Sequence, residues 1–194
     1  PNNAGGAVPR FVELYNSGTT SVDLSMGYQI GRWSNGNASV TGSSIKDLTG
    51  TIDAGGTYII CNEGSTQVGQ VDDDFYLTYG VFCDQGIGTG GAADSNGDDQ
   101  IGLFLDNALI DFFGVAGEDG TGKWHEFEDG RVERKADSTT GCTLETGCED
   151  MWNIDSDAGV GDGAFNGSSR CFATDIWKNS NEKEPIISLK YQRK

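Results

Sequence analysis

The run Asp94-Ser95-Asn96-Gly97-Asp98-Asp99 sets oxygen-bearing side chains at alternate positions, a spacing that suits a hard cation such as calcium. Asp94, Asn96, Asp98 and Asp99 are therefore the candidate ligands. Leu105 stands at the twelfth position, where an EF-hand loop needs an acidic residue, so the motif is not that loop. Asn-Gly and Asp residues also build tight turns, and turn formation is the competing reading of the same residues. Asp72-Asp73-Asp74, and Asp155 and Asp157 with Asp162, are weaker candidates of the same kind.

Nucleophilic chemistry finds little to work with. His125 sits in Lys123-Trp124-His125-Glu126-Phe127 and reads as an exposed loop histidine with no serine or cysteine nucleophile motif beside it. Glu13 lies among apolar residues of a strand, where a carboxylate serves more readily as a hydrogen-bonded structural group than as a catalyst. Gly86-Ile87-Gly88-Thr89-Gly90-Gly91 does not open a helix after a strand, so it reads as loop rather than as a phosphate cradle. No catalytic residue is assigned.

Five cysteines stand at 61, 83, 142, 148 and 171 without C-x-x-C spacing, and the lone histidine is far from ligand spacing. Disulfides in an oxidising compartment fit better than zinc. Cys142 and Cys148 end a short polar loop that can close on itself, and Cys61 and Cys83 bound an excursion between strands. Cys171 is then left over, free or paired with another chain, and other connectivities remain open. Asn37-Ala38-Ser39 and Asn166-Gly167-Ser168 are sequons in turn-rich sequence, so Asn37 and Asn166 are candidate glycosylation sites.

The elements that must position these groups are short strands. Thirty glycines against three prolines, with frequent Asn-Gly and Asp-Gly steps, predict tight turns, and no stretch repeats apolar residues at helical spacing. Phe11, Glu13 and Tyr15 alternate with Val12 and Leu14 as a buried strand does. Further strands are expected at 27–33, 57–61, 100–105, 109–113 and 151–154, with a weaker one marked by Ile45, Leu48 and Ile52. A short helical turn is expected near 65–71. Residues 131–135 read as a charged strand with one wet face. Trp33, Trp124, Trp152 and Trp177 read as core or loop anchors.

The net charge is −17, from 30 acidic and 13 basic residues. Such a field repels nucleic acid and anionic membrane and favours cations and basic partners. Positive charge gathers towards the end of the chain, so residues 1–180 are expected to form the domain and 181–194 a basic tail, linker or arm for a neighbour, with 185–191 open to reading as one more strand. No apolar run is long enough to cross a bilayer. The abrupt Pro1-Asn2-Asn3 start leads us to expect a processed or partial chain.

Several pieces taken together carry a resemblance. Phe11 to Asn16, then Val22-Asp23-Leu24-Ser25 and Gly27-Tyr28, open it. Tyr58 to Asn62, Cys83-Asp84, Asn96-Gly97-Asp98-Asp99 before Gln100 to Leu103, Ile110-Asp111, Gly114, Trp124, Arg131 to Lys135 and Trp152 follow in order. This set resembles the lamin tail domain of secreted proteins, which implies an all-β, immunoglobulin-like β-sandwich with long glycine-rich loops, stabilised here by disulfides. Members usually have a strand before the Phe-Val-Glu-Leu-Tyr-Asn segment, whereas only the glycine-rich residues 1–9 precede it here. Either that strand is absent or another chain supplies it by β-augmentation. The expected function is a non-catalytic extracellular structural or adhesion module engaged in protein–protein assembly, as a subunit of a surface appendage or filament, with calcium as a candidate stabiliser. An accessory domain of a secreted nuclease or phosphatase, and a carbohydrate-binding module, are the alternatives.

Overall fold

Alternating apolar residues and glycine-bearing turns organise the chain into short strands packed in layers. The computed structural model describes residues 9–155 apart from 66–67, 72–73, 129, 136–137, 139 and 144, together with the backbone of 185–190. In chain order the elements are β1 (Phe11–Asn16), β2 (Val22–Asp23), β3 (Tyr28–Trp33), β4 (Lys46–Asp47), β5 (Thr51–Ile52), β6 (Thr57–Cys61), α1 (Asp74–Tyr79) and β7 (Gln85–Gly86). Then come β8 (Gln100–Leu105), β9 (Ala108–Phe113), β10 (Arg131–Arg134), β11 (Trp152–Asp155) and β12 (Pro185–Lys190).

Two four-stranded sheets form the layers, ordered β12-β1-β6-β7 and β4-β3-β8-β9. The first is antiparallel except for the short parallel β6–β7 pair. Val12, Leu14, Tyr58 and Ile60 from the first sheet meet Ile30, Ile101, Leu103 and Phe113 from the second in one buried core. The β10–β11 ribbon adds Val132 and Trp152 to it, and Trp152 meets Phe113 edge-on at 5.0 Å. This is the disulfide-stapled all-β sandwich expected from the residue pattern.

Gly102 shows why a glycine interrupts β8. A Cβ there would come within 2.8 Å of the Trp33 indole, which stacks on Phe104 and meets Phe112 edge-on on the outer face of that sheet. The β8–β9 hairpin turns through Asp106 and Asn107, both with positive φ (50° and 65°), the two-residue turn whose twist matches paired strands.

Two expectations need correcting, and two others take a definite form. The weak strand around Ile45–Ile52 is two separate two-residue bridges, β4 on β3 and β5 on β2, with Leu48 and Ile52 pointing into the core. The helical turn lies at Asp74–Tyr79 rather than 65–71, because Phe75 and Tyr79, one helical turn apart, both pack on Phe11. β10 has one half-exposed charged face, Arg131 and Glu133, as expected, and its other face buries Val132 together with Arg134, which pairs with Asp111. Residues 185–190 adopt the strand alternative: their backbone pairs with the whole of β1, from Asn16↔Pro185 to Phe11↔Lys190. The edge of β1 that was expected to lack a strand is therefore covered by this chain itself. Cys171, Trp177, Asp157, Asp162, Asn166, Asp72 and Asp73 lie outside the described residues.

Candidate functional site

Two features meet at one end of the sandwich: a disulfide-stapled cap and an arginine-braced acidic loop. The cap is the excursion 62–84. Cys61 at the end of β6 is bonded to Cys83, with Cα atoms 6.0 Å apart, so the segment leaves and rejoins the sheet at one point. Glu63 Oε1 accepts the Phe75 N–H at 2.7 Å, satisfying one of the donors that the start of α1 leaves open. The Tyr79 hydroxyl donates to the Pro9 carbonyl at 2.9 Å. Phe75 then fills a second core with Phe11, Ile59 and the disulfide, on the outer face of the first sheet.

What this packing leaves outside is apolar. Among the described residues, the large hydrophobics that stand exposed are Met26, Val71, Leu77 and Phe82, and the last three belong to the cap. Phe82 stacks on Tyr76 at 4.4 Å, which holds the ring at the surface rather than folded inward. A second disulfide, Cys142–Cys148, closes its own short loop elsewhere. Both pairings match those the residue positions allowed.

The acidic loop 94–99 does something other than gather carboxylates around a point. Arg10, flanking β1, donates to the Asp94 carbonyl at 2.8 Å, and Arg32, on β3, donates to the same oxygen at 3.0 Å. Arg32 also pairs with Asp99 Oδ2 at 3.1 Å, and Asp99 Oδ1 accepts the Asn35 N–H at 2.9 Å. The Asp94 carboxylate accepts from the Gly90 N–H and the Asn62 amide, with Arg10 at 3.5 Å. Asp98 offers its carbonyl to Gly120 and to the Gln100 amide, and Asn96 is exposed. The side-chain oxygens of Asp94, Asp98 and Asp99 do not lie within 4.8 Å of one another. Among the described residues the trio that close is Cys61, Glu63 and Cys83, whose sulfurs are already bonded to each other. The cations that meet Asp94 and Asp99 here are guanidinium groups, and they tie one sheet to the other. Burial raises the Asp99 carboxyl above the usual aspartate range, against the Asn35 N–H and Arg32, which pull it down.

His125 is fully buried, not exposed as its loop suggested. Its ring meets Phe113 and Trp124 edge-on, Nε2 lies 3.3 Å from Glu118 Oε1, and Nδ1 has no partner among the described residues. Burial lowers its pKa below the ordinary 6.5, with the Glu118 hydrogen bond opposing. A histidine with a depressed folded-state pKa stabilises the fold above its unfolded value, and that contribution is lost as pH falls through the folded one. Thermal stability is thus expected to fall as the pH drops below about 6.5, and His125→Gln is expected to flatten that slope. Parallel profiles for wild type and variant would overturn this assignment.

Asn37 stands exposed on a turn, its amide 3.3 Å from Thr41 Oγ1, a position a glycan can reach. Arg10, Arg32 and the Phe75–Tyr79 pair escaped sequence reading. The last had a local signal, two aromatics one helical turn apart; the arginines had none, since their partners lie 62 to 84 residues away.

A profile of the family described as Lamin Tail Domain matches residues 1–117, which include β1 to β9 and the whole of the cap and brace. No curated protein and no solved structure matched the chain.

Proposed function

The chain belongs to the lamin tail domain family, immunoglobulin-like domains that serve protein–protein contact, and from that premise we propose that it is a non-catalytic extracellular assembly module. The observation that carries the proposal is the cap. Val71, Leu77 and Phe82 are held at the surface of a rigid, disulfide-closed segment, where desolvating them is the available gain on contact with another subunit. Two disulfides, an exposed sequon at Asn37 and a strongly acidic composition support an extracellular setting. Among the described residues, His125 is packed between aromatics and Glu118 and the cysteines at 61, 83, 142 and 148 are oxidised, so these groups are committed to structure.

The net charge opposes self-association at low salt, so contact through the cap is expected to strengthen as salt screens it. Light scattering of the purified chain at about 0.15 M salt is expected to show mass rising with concentration. Leu77→Asp with Phe82→Asp is expected to abolish that rise. Both residues are exposed, at 65% and 40%, so the melting temperature should hardly move. A wild-type chain that stays monomeric throughout, or association indifferent to the double substitution, would remove the cap from this role.

A further inference from the structure

We propose that the position beside β1 is a strand-exchange slot, and that in the assembly it takes residues 185–190 of a second copy of this chain. The inference rests on the assembly reading above and states how copies become locked together. β12 is bonded to β1 along one edge and runs close to β10, so it stands between the first sheet and the β10–β11 ribbon. Both flanks of that slot are complete by residue 155, yet its occupant comes from the far end of the chain.

The hydrogen bonds involved are main-chain bonds in a fixed register, Glu13 facing Ser188 and Leu14 facing Ile187. A copy of the same strand delivered from another molecule makes the same bonds, so cis and trans occupancy differ in how the strand is supplied and not in what it contacts. The intervening stretch 156–184, roughly 30 residues, has a contour on the order of 100 Å, ample for reaching either its own β1 or a neighbour's. Covalent connection gives the cis strand an effective concentration that a second copy must exceed to compete. In dilute solution the strand stays at home. Copies brought together through the cap pass that threshold locally, and exchange follows. Charge favours the same outcome: Lys183, Lys190, Arg193 and Lys194 flank the strand, while the body that receives it is acidic.

Cysteines at facing positions report which chain fills the slot. Tyr15 and Ile186 are Cα partners, so the full chain carrying Tyr15→Cys, Ile186→Cys and Cys171→Ser can form a bond across β1 and β12. Equal parts of isotope-labelled and unlabelled protein are mixed, assembled at about 0.15 M salt, oxidised and mapped by mass spectrometry. Mixed-isotope 15–186 cross-links that increase with assembly are expected, against single-isotope links in dilute samples. Assemblies that scatter light while every 15–186 bond stays within one chain would overturn strand exchange and leave the assembly reading standing. No assembly at any concentration would overturn both. Ile187→Pro removes one main-chain donor from the strand and is expected to abolish assembly while the monomer keeps its β-type circular dichroism. Undiminished assembly of that variant would also overturn the exchange.

Discussion

Replacing Arg134 by alanine is expected to cost about 3–5 kcal/mol, a large share of the stability of a domain of this size. Arg134 and Asp111 are both fully buried and form a direct ion pair. Asp111 Oδ1 also accepts the Cys142 and Phe112 N–H groups, at 2.8 and 2.9 Å. The guanidinium lies 4.2 Å from the centre of the Trp152 ring and donates to the Thr140 carbonyl. Removing the cation leaves a carboxylate deep in the protein without its guanidinium partner, and that lost compensation dominates the cost. Arg134→Met with Asp111→Leu takes away both charges but orphans two backbone donors, so it should recover only part of the loss. Urea denaturation of the three proteins checks the order. If Arg134→Ala unfolds within about 1 kcal/mol of wild type, the pair contributes no more than an exposed one would.

Cys61→Ser with Cys83→Ser is expected to cost about 3 kcal/mol, the loop-closure value for residues 22 apart. Cys142→Ser with Cys148→Ser, at a separation of 6, should cost about 2 kcal/mol. The first loss is also local. Without the bond, α1 is held by non-covalent contacts such as Phe75 and Tyr79 on Phe11, the Glu63 contact and the Tyr79–Pro9 hydrogen bond, so amides of the cap should exchange faster while those of β3 and β8 stay protected. Association through Leu77 and Phe82 is expected to weaken in step. Uniform protection across wild type and variant would show that the cap is held by its aromatic packing alone.

These cases also show how far the chain could be read before its structure. β1 and β3 were legible from their two-residue period and β6, β8 and β9 as short apolar runs between turn-forming residues, signals carried within about six residues. The disulfides were legible because Cys61 and Cys83 bracket one excursion and Cys142 and Cys148 one loop. His125 was misread, and the burial of Arg134 was not foreseen, for the opposite reason. A charged residue on a short strand or an aromatic loop looks solvated until its partner is known, and Asp111 sits 23 residues from Arg134. The loop at 94–99 was ambiguous in principle: alternating oxygens serve a metal or a turn equally well, and the arginines that meet it come from other strands. β12 was undecidable from composition, since Pro185 to Lys190 joins the sheet only because β1 offers an unpaired edge.

The double grip of Arg10 and Arg32 on position 94 has an evolutionary corollary. The oxygen they share belongs to the peptide backbone, which every amino acid supplies, so mutation at 94 cannot delete it. Drift should therefore be tolerated at 94 sooner than at 10 or 32, where the guanidinium itself is the irreplaceable part, and descendants of this gene should keep both arginines after the aspartate has been replaced.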